Sequence, residues 1–368
     1  MVKKLTILGI RGIPAEHGGF ETFAQNLALF LVDKGWEITV YCQTEGKGAV
    51  VQDVWNGVRR VVIPVSRQGA FGTVEFDWRS ISHFLSHSPL GVVLVLGYNT
   101  AIFCARLKKA RIPTIINMDG LEWKREKWKI YQKVWLLFNE LAGCFVATHL
   151  VADHPEIEAH LSSRVSSKKI TTIPYGAPEL KNVDSGALIN LGLDREKYIV
   201  VIARPEPENS ILEIVRAFSR CPRGVKLVVL GNYDPIKNSY HQQVLECASP
   251  EVVFLGAIYD QSVVNALRSY CKFYIHGHKV GGTNPSLVEA LGAVSPVLAH
   301  DNKFNRWVAG DSACYFASED ECALQIDKFL NDGNLLNKMG EISQYRFKEE
   351  FTWEKVLTSY EKLFRLWG

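Results

Sequence analysis

The segment His276-Gly-His-Lys-Val-Gly-Gly-Thr-Asn-Pro-Ser-Leu-Val-Glu289 has the residue types and spacing of a phosphate-binding turn. The apolar run 273–275 before it predicts a buried strand, and the pattern that opens at Pro285 predicts a helix. A glycine-rich loop between a strand and a helix start presents backbone N–H groups and the positive end of a helix dipole. Glu289, one turn into the helix, would accept hydrogen bonds from sugar or ribose hydroxyls. A tight turn that only packs the helix on its strand is the alternative.

A second glycine-bearing loop follows the first predicted strand. It reads Gly9-Ile-Arg-Gly-Ile-Pro-Ala-Glu-His-Gly-Gly-Phe-Glu-Thr-Phe23 and leads into a predicted helix. Its glycines lack the G-x-G-x-x-G spacing and Pro14 interrupts the turn, which argues against a nicotinamide dehydrogenase. Gly18, Gly19 and Glu21 are predicted to contact a ligand. For the two glycines, a backbone turn is the alternative.

Arg204 directly follows a strand candidate, residues 198–203. An arginine at the carboxyl end of a parallel strand lies on the ligand side of the sheet, where its planar fork can hold a diphosphate. A surface ion pair with Glu206 or Glu208 is the alternative interpretation of the same residue.

Three more polar residues, Asp119, Asp153 and Tyr175, also come directly after predicted strands. For each of them a helix N-cap or a turn is the alternative, above all for Asp153, which precedes His-Pro-Glu. His276 and His278 flank the glycine loop. We expect one of the two histidines to be structural and the other to reach the ligand.

Composition and motifs exclude several other classes of protein. A chain of 368 residues predicts two domains, and a net charge of +3 is too small to indicate nucleic acid as a partner. The eight cysteines show no zinc-like spacing, which indicates a reducing cytoplasm. No D-x-D pair, P-loop or Ser-His-Asp order is present, so we expect no metal cofactor. Neither a signal peptide nor a membrane-spanning run is predicted.

Short apolar runs recur along the chain, each followed by a helical pattern, which predicts two doubly wound α/β domains with parallel sheets. The strand candidates are 5–10, 37–42, 58–65, 91–97, 114–118, 145–152 and 170–174, then 198–203, 226–231, 252–255, 273–276, 296–299 and 314–316. We expect the domains to face one another across a cleft lined by the residues after each strand. Residues 177–195 are the predicted linker, and the pattern over 351–364 predicts a terminal amphipathic helix.

The segment 123–138 is predicted to form one amphipathic helix with an aromatic and a basic side. The apolar half of its wheel carries Trp128, Ile130, Tyr131, Val134, Trp135, Leu137 and Phe138. The other half carries Arg125, Lys129, Gln132 and Lys133, with Lys127 and Leu136 as exceptions. Basic residues beside an aromatic face suit an anionic membrane interface. Packing on the domain core is the alternative, and we expect it for part of the face.

Four separated segments, in order, resemble the GT-B enzymes of glycosyltransferase family 4, and more narrowly its bacterial rhamnosyltransferases. They are Arg11-Gly-Ile-Pro-Ala-Glu-His-Gly-Gly-Phe-Glu-Thr-Phe23, Asp119-Gly-Leu-Glu-Trp-Lys-Arg125, Ala203-Arg-Pro-Glu-Pro-Glu-Asn209 and Val280-Gly-Gly-Thr-Asn-Pro-Ser-Leu-Val-Glu289. The resemblance covers nearly the whole chain. It implies an acceptor-binding Rossmann-like domain over 1–178, a nucleotide-sugar-binding domain over 179–350, and a helix over 351–368 that crosses back to the first domain.

The resemblance also implies roles for individual residues. The implied donor site comprises Gly18, Gly19, Arg204, Asn209, His278, Gly281, Gly282, Thr283, Asn284, Ser286, Leu287 and Glu289. Within it Arg204 would neutralise the diphosphate and Glu289 would bind the ribose. Asp153, Tyr175 and Arg204 would be the catalytic residues that orient the reacting sugar. The acceptor would contact Glu21, Asp119 and Trp123.

Two positions depart from the family pattern. Gly281 stands where the first glutamate of the E-x7-E motif is usual, and Asn209 stands where a lysine is usual. Fewer charges would then surround the transferred sugar. A less polar pocket fits a deoxysugar such as rhamnose, which lacks the 6-hydroxyl.

The resemblance implies a retaining transfer in which the departing phosphate takes the acceptor proton, with no protein nucleophile and no metal. The implied reaction moves L-rhamnose from dTDP-L-rhamnose to a polyprenyl-diphosphate-linked sugar in cell-surface polysaccharide synthesis, giving a β-linkage. The protein would act at the cytoplasmic face of the membrane and contact it through residues 123–138. Three alternatives stay open: transfer of another sugar from UDP, sugar-nucleotide 2-epimerisation, and a catalytically silent sugar-nucleotide-binding protein.

Overall fold

In the computed structural model, which describes residues 3–16, 18–87, 90–126 and 128–367, the chain forms two α/β units. The first unit runs as far as Tyr175 and resumes at Trp353, and the second comprises Gly176–Thr352. Both are built on mainly parallel sheets flanked by helices, which confirms the predicted fold class. His17 and Lys127, which belong to the predicted first loop and basic helix, lie outside the described residues.

Eight strands form the sheet of the first unit. They are β1 (Lys4–Leu8), β2 (Glu37–Glu45), β3 (Val51–Trp55), β4 (Val58–Val65), β5 (Val92–Leu96), β6 (Thr114–Asn117), β7 (His149–Ala152) and β8 (Ile170–Thr172). Their order is β3-β4-β2-β1-β5-β6-β7-β8. The helices up to Tyr175 are α1 (Gly19–Asp33), α2 (Gly69–Ser86), α3 (Ala105–Lys109), α4 (Ile130–Val146) and α5 (Pro155–Ser162). All five residues of β5 are buried, because a doubly wound sheet is covered on both faces.

Six strands form the sheet of the second unit. They are β9 (Tyr198–Ile202), β10 (Lys226–Leu230), β11 (Val252–Gly256), β12 (Phe273–His276), β13 (Val297–His300) and β14 (Ala313–Phe316), in the order β11-β10-β9-β12-β13-β14. The helices are α6 (Gly186–Asn190), α7 (Ile211–Ser219), α8 (Ser239–Glu246), α9 (Gln261–Tyr270), α10 (Pro285–Gly292), α11 (Lys303–Ala309), α12 (Glu319–Asn331) and α13 (Gly333–Glu350). β9 and β12 are parallel neighbours, so their carboxyl ends meet at one edge of the sheet.

The last helix, α14 (Trp353–Phe364), belongs to the first unit, which confirms that the terminal helix returns there. The Tyr360 ring lies 4.7 Å from the ring of Phe23 on α1, and such aromatic pairs contribute about 0.5–1.5 kcal/mol beyond their buried area. The Asn117 side-chain N–H donates to the Tyr360 hydroxyl over 2.8 Å. The helix thereby contacts the core of the first unit near the carboxyl end of β6.

Two of the sequence predictions, one of a helix and one of a linker, differ from the structure. The amphipathic helix predicted from Trp123 begins only at Ile130, and residues 122–124 form a separate 3₁₀ turn. The 3₁₀ turn is held apart because the Trp123 indole N–H is directed to Glu140 on α4, over 2.6 Å. The predicted linker 177–195 is also structured: it contains α6, and Ala177 pairs with Thr352 inside the second unit.

The sequence prediction missed β3, which pairs antiparallel with β4. Asn56 and Gly57 join the two strands with φ angles of 45° and 81°, the positive values that a two-residue type I′ hairpin turn requires. The exposed outer face of β3 explains the omission, since its residues 51–54 are all exposed and show no apolar alternation.

We predict that Gly57→Ala lowers the unfolding free energy of the first unit by about 1–3 kcal/mol. This is the usual cost of holding a non-glycine residue in a sparsely populated backbone conformation such as the left-handed region. A Cβ on Gly57 would lie 2.9 Å from Cγ1 of Val32. The control is Gly48→Ala, because a Cβ there meets nothing within 4 Å. Urea unfolding followed by circular dichroism measures both variants. Equal midpoints for the two would contradict the account of the turn.

Candidate active site

The glycine-rich loop 277–284 connects β12 to α10, as the residue pattern predicts. All four residues of β12 are buried, and Pro285 opens α10 at its first turn. The Asn284 side chain caps the helix by accepting from the Ser286 N–H over 3.0 Å, a contact that contributes about 1 kcal/mol to a helix. Gly281 has a φ of 149° and open space around it, while Gly282 and Thr283 are buried. The loop therefore ends in a capped helix start.

Side chains from the neighbouring strand end hold this loop from behind. The Asn302 and Asn305 side-chain N–H groups each donate to the His278 carbonyl over 2.9 Å. Asn302 also caps α11 by accepting from the N–H groups of Phe304 and Asn305. The backbone at His278 is thus fixed by a helix that begins directly after β13.

Arg204 lies next to the glycine loop in the second unit. Its segment approaches the loop closely: a Cβ on Gly277 would lie 2.1 Å from the Asn209 carbonyl oxygen, and the Lys279 N–H donates to the Glu208 carbonyl over 2.9 Å. The Arg204 side chain is exposed, and no described residue forms an ion pair with it. The alternative of a surface pair with Glu206 or Glu208 is therefore absent from the described part of the chain.

Asn209, the residue in place of the usual lysine, has a structural contact. It is 3% exposed, and its side-chain N–H donates to the Arg204 carbonyl over 2.8 Å. This bond tightens the turn that carries Arg204. A lysine could not make the same short internal bond while its ammonium group remained in solvent.

Glu289 is held by a buried arginine that the sequence analysis did not single out. Its Oε2 lies 2.5 Å from Nη2 of Arg268 on α9, and the Arg268 side chain is only 3% exposed. Glu289 keeps 27% of its side chain exposed, so part of the carboxylate faces solvent. Arg268 falls four residues after the buried Val264 on the apolar face of α9, which is the sequence signal that would have found it.

Ser286 and Leu287 are placed differently from the other predicted donor residues. The Ser286 hydroxyl lies 2.7 Å from the Tyr274 hydroxyl and accepts from Nη2 of Arg268 over 3.3 Å. Leu287 is fully buried in the hydrophobic core. Within the second unit, Ser286 therefore contacts Arg268, and Leu287 packs α10 onto the core. Burial raises the pKa of Tyr274 to about 12, so its hydroxyl stays protonated as a donor at neutral pH.

His276 and His278 are stacked, with ring centroids 4.3 Å apart and planes 9° from parallel. His276 is fully buried, whereas His278 is partly exposed. Burial, followed by the neighbouring His278, holds the pKa of His276 well below its ordinary value. His276 is therefore uncharged at neutral pH and adds no positive charge beneath the glycine loop.

In the first unit, Gly18, Gly19 and Tyr175 come together at the start of α1. Gly18 has a φ of 130°, and the Tyr175 hydroxyl donates to the Gly19 carbonyl over 3.2 Å. The Tyr175 ring also packs against Trp353, with centroids 5.1 Å apart. Both glycines thus belong to the turn that starts α1, and Tyr175 fixes that turn.

Asp153 and Asp119 follow the neighbouring strands β7 and β6 of the first unit. Asp153 is 8% exposed. The N-cap of α5 is His154, whose Nδ1 accepts from the Glu156 N–H over 3.0 Å, so Asp153 is not the cap. Burial, followed to a lesser extent by the charges of Asp153 and Asp119, raises the pKa of Tyr360. The two predicted residues therefore follow adjacent parallel strands, at the same edge of the sheet.

Trp123 and Glu21 are each held by a polar partner in the first unit. The Trp123 indole N–H donates to the buried carboxylate of Glu140. Oε1 of Glu140 also lies 2.8 Å from Nε of Arg164 and 2.8 Å from Nε2 of His160. Glu21 accepts from the Arg11 N–H over 3.2 Å and lines a polar cavity at the end of β1, β2 and β4. Trp123 is thus fixed by an ionic cluster, and Glu21 faces open space.

The described residues were also compared with the requirements of a metal site and of a membrane-spanning helix. Among residues 3–16, 18–87, 90–126 and 128–367, no three His, Cys, Asp or Glu side chains are grouped to hold a metal ion. None of the helices in this part of the chain combines the length and apolarity needed to span a bilayer. Positive charge at the β12 loop comes from Arg204 and from the helix start of α10, an arrangement that can bind a phosphate group.

Comparison with known protein families gives two adjoining matches. Residues 2–178 match a domain of unknown function (DUF1972), and residues 190–346 match the glycosyl transferases group 1. The second match contains Arg204, the glycine loop and Glu289. Together with the fold, these matches support a glycosyltransferase.

One curated relative is an N-acetylgalactosamine-N,N'-diacetylbacillosaminyl-diphospho-undecaprenol 4-alpha-N-acetylgalactosaminyltransferase from Campylobacter jejuni. The chain is 26% identical to it over 174 residues, which is 45% of this chain and 47% of the relative. The chain therefore spans about half the length of the curated relative that it matches.

Solved structures with the same architecture cover nearly the whole chain. Sucrose-phosphate synthase from Thermosynechococcus elongatus has a TM-score of 0.84 at 18% identity, covering 99% of this chain and 98% of that one. Anabaena HepE in complex with UDP has a TM-score of 0.73 at 15% identity, covering 98% and 99%. An α,α-trehalose-phosphate synthase from Burkholderia xenovorans has a TM-score of 0.76 at 11% identity, covering 99% and 100%. At these identities the likeness shows the fold, which is GT-B with two Rossmann-like domains.

We predict that Arg268→Met weakens the binding of dTDP or UDP about tenfold or more, because a hydrogen bond to a charged group contributes roughly 1.5–3 kcal/mol. Without Arg268, the Glu289 carboxylate loses the partner that orients it. Isothermal titration calorimetry measures the dissociation constant. The control is Arg220→Met, since Arg220 pairs with Glu319 and Asp320 at the surface of the same unit. Equal nucleotide affinities in the two folded variants would contradict the role of Arg268.

Proposed function

We propose that the chain is a retaining glycosyltransferase that moves L-rhamnose from dTDP-L-rhamnose to a polyprenyl-diphosphate-linked sugar. The observation that carries the proposal is the pairing of the capped glycine loop with Arg204 and Glu289 in the part of the chain that matches the group 1 family. The Campylobacter jejuni relative acts, by its name, on a diphospho-undecaprenol-linked sugar, which supports a lipid-linked acceptor here.

The donor nucleotide would bind at the carboxyl ends of β9 and β12. Backbone N–H groups of Gly282, Thr283 and Asn284 and the guanidinium of Arg204 would contact the diphosphate, and Glu289 would accept from a ribose hydroxyl. Arg204 has no competing ion pair among the described residues, and Glu289 is held in one orientation by Arg268. HepE, which shares the fold, was solved with UDP, and this supports a nucleoside diphosphate as the ligand class.

The sugar pocket would be less charged than in family members with a glutamate and a lysine. Gly281 offers open space in place of the glutamate, and Asn209 is committed to the Arg204 carbonyl. No cation from position 209 would then reach the sugar. This supports a deoxysugar donor, since rhamnose has no 6-hydroxyl to pair with a charged group.

The transfer would proceed without a protein nucleophile and without a metal. As the sugar–phosphate bond breaks, charge builds up on the leaving diphosphate, and preorganised N–H groups with Arg204 would stabilise that charge. The departing phosphate oxygen would take the proton of the acceptor hydroxyl on the same face of the sugar. Asp153 and Tyr175 would orient the reacting groups. Retention at the anomeric carbon then gives a β-linked rhamnose.

Contact with the cytoplasmic membrane face would occur through the exposed side of α4. Ile130, Tyr131, Val134, Trp135 and Phe138 are between 41% and 77% exposed, whereas the buried side of the helix carries Leu136, Asn139, Glu140, Gly143 and Cys144. These five apolar and aromatic side chains therefore remain exposed and do not pack in the core. With Lys124, Lys129 and Lys133 beside it, the exposed side of α4 has the composition of an interfacial helix.

The transfer itself is tested with purified protein, a panel of dTDP- and UDP-sugars, and polyprenyl-diphosphate-linked GlcNAc or glucose in detergent. Mass spectrometry is expected to show a lipid product heavier by one deoxyhexose with dTDP-rhamnose. Glu289→Ala and Arg204→Ala should each lower the rate about 100-fold or more, as the loss of a charged contact to the transition state does. Arg220→Met is the surface control.

Other outcomes of the same assay separate the remaining candidates. Addition of an N-acetylhexosamine from UDP would overturn the donor and keep the transfer, in line with the name of the Campylobacter jejuni relative. Conversion of UDP-N-acetylglucosamine without acceptor would indicate an epimerase. Full activity after exhaustive chelation by EDTA is the expected result for transfer without a metal.

We predict that Ile130→Ser/Val134→Ser/Phe138→Ser reduces binding to vesicles of phosphatidylglycerol and phosphatidylethanolamine by about tenfold or more, because each apolar side chain buried at an interface contributes roughly 1.5–3 kcal/mol. Co-sedimentation measures the bound fraction. The control replaces three apolar residues of the second unit that are at least as exposed, Ile236, Tyr259 and Leu324, with Ser. An equal loss in both triple variants would contradict a specific membrane face on α4.

A further inference from the structure

The turn that carries Arg204 also contacts the loop 231–238, which follows β10. β9 lies between β10 and β12 in the sheet, so this turn has the glycine loop on one side and the loop 231–238 on the other. The backbones lie close together, because a Cβ on Gly231 would be 2.7 Å from the Ala203 carbonyl oxygen and 3.2 Å from Cδ of Pro205. The loop after β10 can therefore affect where the Arg204 turn lies.

Two prolines limit the ways in which this turn can be held. Pro205 and Pro207 have no backbone N–H, so at these positions the backbone can only accept hydrogen bonds. The Arg204 carbonyl accepts from the Glu206 N–H over 2.7 Å. The Pro205 carbonyl accepts from Nε2 of His241 over 3.0 Å, a side chain that lies 36 residues further along the chain. A donor from α8 thus holds the residue directly after Arg204.

The ring of His241 joins the two segments through its two nitrogens. Nδ1 accepts from the Asp234 N–H over 2.9 Å, and Nε2 donates to the Pro205 carbonyl. Since a ring nitrogen that accepts a hydrogen bond carries no proton, the two contacts together define the neutral tautomer with its proton on Nε2. The imidazole is therefore an oriented bridge from the loop 231–238 to the Arg204 turn.

The position of the His241 ring is itself fixed by its neighbours. The Tyr233 ring packs edge-on against it, with centroids 5.5 Å apart and planes at 63°. Tyr233 in turn lies 5.0 Å, centroid to centroid, from the ring of Phe254 on β11. The start of α8 is capped, because the Asn238 side chain accepts from the Tyr240 N–H over 3.0 Å. A ring held in this way can fix the position of the carbonyl to which it donates.

We propose that His241 is a positioning residue for Arg204, and that its Nε2–H holds the turn so that the guanidinium is directed to the nucleotide diphosphate before the ligand binds. The inference rests on the proposed function for the nucleotide site. It assigns His241 no contact with the ligand and makes its effect depend on the Arg204 side chain. A turn that is already ordered lowers the cost of binding, which is the general effect of preorganisation.

The first test separates the two contacts of His241 by substitution. In His241→Asn the amide oxygen can replace Nδ1 as the acceptor, but no donor reaches the Pro205 carbonyl. In His241→Gln the amide N–H can replace Nε2 as the donor, and the acceptor is lost. Isothermal titration calorimetry is expected to show a dissociation constant for dTDP that rises about three- to tenfold in His241→Asn and stays within about twofold of wild type in His241→Gln.

The same two variants control for a purely structural role of His241. Each variant loses one hydrogen bond, so urea unfolding should lower the two midpoints by similar amounts. A structural role alone would then weaken dTDP binding equally in both. Equal dTDP affinities in His241→Asn and His241→Gln would therefore overturn the proposal.

A double-mutant cycle tests whether His241 acts through Arg204. In the Arg204→Ala background, His241→Asn should change the dTDP dissociation constant by less than about twofold, because the group that the histidine positions is gone. The full effect of His241→Asn in this background would contradict the inference. Because dTDP binding requires no donor sugar, a failure of rhamnose transfer alone would refute the proposed donor and not this role. A wild type that binds neither dTDP nor UDP would refute both.

Discussion

The close approach of Gly277 to Asn209 is the packing constraint on which the candidate nucleotide site depends. Any side chain at position 277 would put a Cβ 2.1 Å from the Asn209 carbonyl oxygen, so the two loops could not lie together. Their contact places the turn that carries Arg204 directly beside the glycine loop. The Lys279 N–H also donates a hydrogen bond to the Glu208 carbonyl, which links the two loops. Charge and backbone N–H groups meet at this edge of the sheet because two backbones touch.

A second layer of contacts makes the site rigid before any ligand arrives. Asn302 and Asn305 hold the loop carbonyl of His278, and Arg268 holds the carboxylate of Glu289. Buried polar groups are costly unless they are paired, so each of these contacts also stabilises the fold of the second unit. In the first unit, the hydrogen bonds of Tyr175 to the Gly19 carbonyl and of the Arg11 N–H to Glu21 fix the start of α1 in a similar way. Preorganisation of this kind is what electrostatic stabilisation of a leaving group requires.

The strands were predictable from sequence because a parallel sheet covered on both faces needs continuous apolar runs. The predicted glycine loop does lie between β12 and α10. It was predictable because adjacent glycines followed by Pro285 are typical of a loop that leads into a helix start. β3 was not predicted because its side chains are exposed and show no alternation of apolar and polar residues. Asn56-Gly57 is nevertheless a strong signal for a hairpin turn. The helix predicted from Trp123 begins later because its indole is bound to Glu140, a tertiary contact that no local pattern contains.

The supporting residues of the site were harder to predict than the residues they support. Arg268 lies on the apolar face of a helix, and its partner Glu289 is 21 residues away in sequence. Local pattern identifies a loop that can bind phosphate. Which distant charges surround that loop is decided by the topology of the sheet and the packing of the helices.

Hydrogen–deuterium exchange with and without dTDP tests the central claim most directly, because it reads the backbone N–H groups that would contact the diphosphate. The account predicts slower exchange of the amides in the glycine loop 277–284, in the first turn of α10 and in the turn 204–210 when dTDP is bound. Unchanged exchange in both segments at saturating dTDP would contradict the claim that this edge of the second unit binds the donor nucleotide.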